Sequence, residues 1–145
     1  MDAVAIGRAA RFPFLILDVH FTDVEWWRSN SKLIEASPWP AAVSKPLMSE
    51  TLVFAWHTVK WDRRVARLGV GMVPAVAELI AALTPHQLDS LSQEHCGALR
   101  LRWQDDQEFW SRLLTAACNN DEETLADTHL HAKLLLSGGL IALRQ

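Results

Sequence analysis

The chain has 145 residues, half of them apolar and 21% charged. That suits one domain with an arm and excludes both a wholly disordered chain and a collagen-like repeat. Fourteen Lys and Arg against seventeen Asp and Glu leave −3 at pH 7, so a role on DNA needs a local basic patch or a basic partner.

Cys96 and Cys118 make neither a disulfide framework nor a CxxC pair, which points to a reducing, cytoplasmic setting. Seven Trp and no Tyr favour aromatic burial at an interface as well as in a core. No apolar run reaches the roughly 18–20 residues of a membrane span, so no membrane partner is expected. Residues 12–17, FPFLIL, follow Arg8 and Arg11 like a signal-peptide core. The run is short, Asp18 closes it and no small-residue cleavage site follows, so a signal peptide is not expected.

Residues 1–47 read as an irregular N-terminal arm with five basic and five acidic residues. A short strand is expected within 13–22 and a short helix from Asp23 to Glu35, carrying Trp26 and Trp27. The run SPWPAAVSKP (37–46) reads as a Pro-rich linker. Met48 stands just before a strong helix start, so a second reading takes it as the natural start and leaves the arm outside the protein.

Residues 48–145 read as one mainly helical domain. Ser49 is a fitting N-cap for a helix to about Ala66, with Leu52, Ala55, Trp56, Val59 and Val65 near one stripe. Lys60, Arg63, Arg64 and Arg67 crowd its last turns, where positive charge complements the helix dipole. LGVG (68–71) ends it, because glycine accepts the left-handed cap conformation. A second helix spans about Pro74 to Leu83. Thr84-Pro85 then caps and starts a third, which runs to about Glu94.

ALRLRW (98–103) alternates as a half-buried strand does, with Leu99, Leu101 and Trp103 on one face and Arg100 and Arg102 on the other. No second convincing strand exists in this half. Pairing with the same strand of a second chain would satisfy its backbone, which argues for a homodimer. A fourth helix spans about Asp106 to Cys118, and Asn119-Asn120 is a turn. A fifth helix starts at Asp121-Glu122-Glu123 and ends at Ser137-Gly138-Gly139, leaving LIALRQ as a loose or docked tail.

Catalytic signals are poor, and no enzyme activity, cofactor or metal is expected. His129 and His131 sit about 200° apart on a helix and cannot share an ion. His95-Cys96 lacks an evident orienting carboxylate, and an ordinary thiol at a turn is the simpler reading. Asp106 serves as a helix cap as well as half of a carboxylate pair. No phosphate loop, GxSxG or HExxH occurs. The basic cluster Lys60, Arg63, Arg64 and Arg67 is the best surface for DNA or a partner, with a solvated helix end as the bland alternative. Arg100 and Arg102 would extend it. Residues 104–145, by contrast, carry three basic and seven acidic residues.

Four segments carry a resemblance: LVFAWHTVKWD (52–62), RLGV (67–70), AELIAALTPHQLDSL (77–91) and LRLRWQDDQ (99–107). In this order and spacing the chain resembles the FlhD family of flagellar transcriptional regulators over about residues 50–136. The resemblance implies a mainly α, intertwined dimer that joins FlhC, a zinc-binding partner, in a hetero-oligomer. That complex binds promoter DNA and recruits RNA polymerase to flagellar operons. The residues expected to face DNA or the partner are Lys60, Arg63, Arg64, Arg67, Arg112 and Lys133. The expected dimer interface is Leu52, Trp56, Val59, Leu99, Leu101 and Trp103.

Three departures stand out. Pro38, Pro40 and Pro46 interrupt the region of the family's first dimer helix. Leu99 replaces its interchain cysteine. Ala116-Ala117-Cys118 replaces a Ser-Arg-Val run implicated in DNA contact, which removes a charge-assisted phosphate contact. A divergent regulator acting through protein contacts, without binding DNA itself, is the alternative.

Overall fold

The computed structural model describes residues 3–5 and 15–144, with residues 135–144 described by backbone alone. Residues 12–14 of the FPFLIL run lie outside the described residues. The fold is mainly α, as the sequence predicts. In chain order it runs β1 (Leu17–Asp18), α1 (Val24–Arg28), α2 (Ala41–Trp61) and α3 (Arg63–Val65), then a π-helical segment, Ala66–Val70. There follow α4 (Pro74–Ala81), α5 (Pro85–Glu94), a 3-10 turn at Cys96–Ala98, β2 (Arg100–Leu101), α6 (Gln107–Cys118) and α7 (Glu122–Arg144).

Helix α2 begins at Ala41, well before Ser49, and so takes up part of the Pro-rich run. Pro40 occupies its N-cap position, and Pro46 lies inside the helix, near enough to the start to remove a bond without ending it. The helix stops at Trp61 rather than at LGVG. Asp62 is extended (φ −156°, ψ 117°), and its carboxylate accepts the Arg64 backbone N–H at 2.8 Å, which starts α3. Gly71 supplies the expected left-handed residue, with φ 76°.

Farther on, Thr84 and Gln87 form a reciprocal capping box (3.2 and 2.8 Å), which fixes the start of α5. Asp106 and Asp121 cap α6 and α7 through backbone N–H groups. Bonds from Thr124 hold the Asp121 carboxyl below its ordinary value. Helix α7 continues through Ser137-Gly138-Gly139 to Arg144, so the expected tail is helix.

The expected pairing of the 98–103 strand with a second chain is corrected. Its partner is the chain's own arm: β1 and β2 run antiparallel, with Leu17 opposite Leu101 and Asp18 opposite Arg100. The physical reason lies in the arginines. The Arg102 guanidinium donates to the Leu15 carbonyl at 2.9 Å and to the Val70 carbonyl. Its Nε and the Arg102 backbone N–H, which bonds Ile16 at 2.8 Å, hold the arm in place. Burial lowers the Arg102 guanidinium from its ordinary value, and Asp18 opposes that shift. Arg100 likewise donates to the Ala36 carbonyl at 2.9 Å. Neither arginine extends the basic surface cluster.

The main core draws on both halves of the chain. Val19, Phe21 and Trp27 are buried with Met48, Leu52 and Val59 of α2, Val70, Met72, Val76 and Ile80, and Leu88 and Leu99. The Trp27 indole donates to the Val19 and His20 carbonyls, so its polar edge is satisfied as its ring is buried. The expected helix 23–35 is only five residues, Val24–Arg28. The α6–α7 hairpin has its own small core of Leu113, Ala116, Ala117 and Leu125. Phe109 and Ala132 join it to Ile16, Val73 and Trp103.

Candidate functional site

The break at Asp62 determines how the basic cluster is displayed. Lys60, on the last turn of α2, lies with its ammonium 4.1 Å from the centre of the Trp56 ring, a cation–π contact. Trp56 is itself anchored by an indole bond to the Leu83 carbonyl at 3.0 Å. Arg63 reaches across to α4, where it donates to the Ala77 carbonyl at 3.3 Å and meets the Glu78 carboxylate at 3.5 Å. Both partners of that ion pair are largely exposed, so it is worth at most about 1 kcal/mol and is readily exchanged for another anion. Arg64 sits 3.8 Å from Asp62 with its side chain in solvent.

Arg67 differs. It is half-buried on the π-helical segment, and among the described residues its side chain has neither an ion pair nor a hydrogen bond. The wider π turn is the kind of local distortion found at binding sites. Arg63, Arg64, Arg67 and Glu78 line a pocket of about 180 Å³ together with exposed Pro74 and buried Met72 and Ala77.

The remaining expected contact residues lie elsewhere. Arg112 lines a separate recess with Asp106, Glu108 and His131, where carboxylates offset its charge. Lys133 is exposed on α7. His129 and His131 lie on the same helix. Among the described residues no group of three or more metal-ligating side chains is found, and no helix is long and apolar enough to cross a membrane. Ala116 and Ala117 pack inside the α6–α7 hairpin.

The residues expected at the dimer interface are placed as follows within the single chain. Leu52, Val59 and Leu99 are fully buried in the chain's own core. Trp56 is half-buried on that core, and Leu101 pairs with Leu17. Trp103, in the left-handed region (φ 52°), packs edge-on against Phe109, and its carbonyl accepts the Trp110 indole at 2.8 Å.

The sequence reading missed the other side of α2. Val43, Val53, Phe54 and Trp61 are exposed, Trp61 to 78%, beside exposed Glu50 and His57. The signal was present: Glu50, Phe54, His57 and Trp61 recur at spacings of three and four, on the face opposite Leu52, Ala55 and Val59.

The family model described as flagellar transcriptional activator (FlhD) matches residues 50–142. No curated protein and no solved structure matches the chain. The matched span takes in the exposed face of α2 from Glu50, the arginine-lined pocket, β2, all of α6 and most of α7.

Proposed function

Because the chain belongs to the FlhD family of flagellar transcriptional activators, we propose that it is the FlhD-like subunit of an activator of flagellar operons. In this reading it acts with an FlhC-type partner on promoter DNA and brings RNA polymerase to the promoter. The family match carries the reading. The arginine-rich edge at Lys60, Arg63, Arg64 and Arg67 is the surface best suited to phosphate or to an acidic partner face. A mobility shift tests it, with a flagellar promoter fragment and this chain co-purified with its own FlhC. The expected result is a salt-sensitive, sequence-dependent shift that needs both chains.

Arg63→Glu combined with Arg64→Glu is expected to weaken that complex by at least about tenfold. The helicity of the chain alone should not change, since both side chains are largely exposed. Unchanged complex affinity would remove this edge from the interface.

We also propose that the chain is a homodimer through the outer face of α2. A two-fold axis between Val53 and Phe54 would pair Glu50 of each copy with His57 of the other, and Trp61 with Pro46. The face is therefore complementary to itself in both hydrogen-bonding groups and apolar surface, as an isologous contact requires. Trp61→Glu is expected to give a folded monomer by sedimentation equilibrium. A dimer mass for that variant would rule out the face.

The second reading, a regulator acting through protein contacts without touching DNA, is favoured by one observation. Ala116 and Ala117 are buried in the hairpin, so this turn of α6 offers no cation where the family places an arginine. Stable co-purification with FlhC and no promoter shift is the outcome it expects.

A further inference from the structure

The pocket between the π-helical segment and α4 is a hollow of about 180 Å³. Three guanidiniums and one carboxylate line it, a sum of +2, beside the exposed Pro74, with Met72 and Ala77 buried beneath. Arg67 has no counter-ion among the described residues, and the Arg63–Glu78 contact at 3.5 Å is loose. Planar guanidiniums bind a phosphate through paired N–H donors. An excess of two positive charges matches the dianion of a phosphate monoester. Exposed Pro74 offers a small apolar surface to a group attached to the phosphate.

We propose that this pocket binds a small phosphate monoester, the phosphate held by Arg67 and Arg63 and its organic part set against Pro74. The proposal rests on the same reading of this edge as an anion-facing surface. A free-phosphate titration tests the pocket, and the promoter shift tests the edge, so the two can fail separately. The full-length chain would be titrated with inorganic phosphate, with phenyl phosphate and with a short duplex of unrelated sequence. Arginine Nε–H and Met72 methyl resonances would be followed by NMR.

Phenyl phosphate is expected to perturb Arg63, Arg67 and Met72 saturably, and to bind more tightly than inorganic phosphate. Arg67→Gln should weaken it by about tenfold or more. Glu78→Gln, at an exposed position that folding tolerates, should tighten it severalfold. No saturable perturbation by phenyl phosphate overturns the assignment. So does the duplex perturbing these nuclei when phenyl phosphate does not, which would make the phosphate that of a DNA backbone. Unchanged phenyl phosphate affinity in Arg67→Gln overturns it as well.

Discussion

Gly97→Ala is expected to destabilise the protein by about 3 kcal/mol, at the upper end of what one added methyl does in a packed site. Gly97 is buried in the 3-10 turn before β2, and a Cβ there would run into the Glu35 carbonyl and lie 3.4 Å from the Ser37 backbone nitrogen. Both obstacles are main chain, so no side-chain rotation relieves them. The segment is held from two sides. Arg100 donates to the Ala36 carbonyl at 2.9 Å, and His20 meets the Glu35 carboxylate at 2.9 Å. A methyl group must therefore push the arm off the turn or distort the turn itself. The entropic gain of replacing glycine, about 0.4–1 kcal/mol, is too small to offset that. Urea unfolding followed by Trp fluorescence should show a lower midpoint with an unchanged slope. The thermal midpoint should fall by roughly 10 °C for a chain of this size. Stability at or above that of the parent would mean that residues 35–37 are not seated on the turn in solution.

Much of the fold was legible because the chain signals its helix ends locally. Thr84-Pro85 with Gln87, Pro74, Asp106, Asp121 and Gly71 each perform the capping or starting role their chemistry suggests. Other features depended on tertiary context. Prolines 40 and 46 read as breakers, yet one precedes α2 and the other lies in its second turn, where the helix continues with one N–H bond fewer. The Gly-Gly pair at 138–139 read as a stop, and the helix passes through it. The alternation in ALRLRW correctly turned Leu99 inward. It gave no sign that Arg100 and Arg102 would bond to main-chain carbonyls of the distant arm, because such acceptors leave no pattern in sequence. The basic cluster was legible as charge. Its pocket was not, since the π-helical turn that carries Arg67 has no periodicity of its own. The outer stripe of α2 was readable, but once the inner stripe had been assigned to a core nothing local pointed to a second apolar stripe.

Arg102→Met tests the other clamp between the arm and the helical body, and is expected to cost about 2–4 kcal/mol. Methionine keeps the apolar stem against its neighbours and removes the guanidinium. Two carbonyls then lose a charged donor: Leu15, on the arm, and Val70, at the end of the π-helical segment. A bond from a charged donor contributes about 1.5–3 kcal/mol, and an acceptor left dry adds its desolvation penalty. Partial exposure of this side chain and access of water to Leu15 bring the sum below twice the upper figure. Arg102→Lys separates charge from geometry. It keeps the positive charge, but one ammonium cannot reproduce the planar fork that spans both carbonyls. Its loss should therefore fall between those of the parent and the Met variant. Hydrogen exchange gives the mechanism: the Leu15 amide, bonded to the Gly69 carbonyl at 2.6 Å, and the Arg102 amide, bonded to Ile16 at 2.8 Å, should lose protection together in Arg102→Met. Amides in the α6–α7 hairpin should change less, since that unit has a core of its own. If the Met variant unfolds at the parent's urea concentration with both amides still protected, then the backbone pairing of β1 with β2 holds the arm and the guanidinium does not.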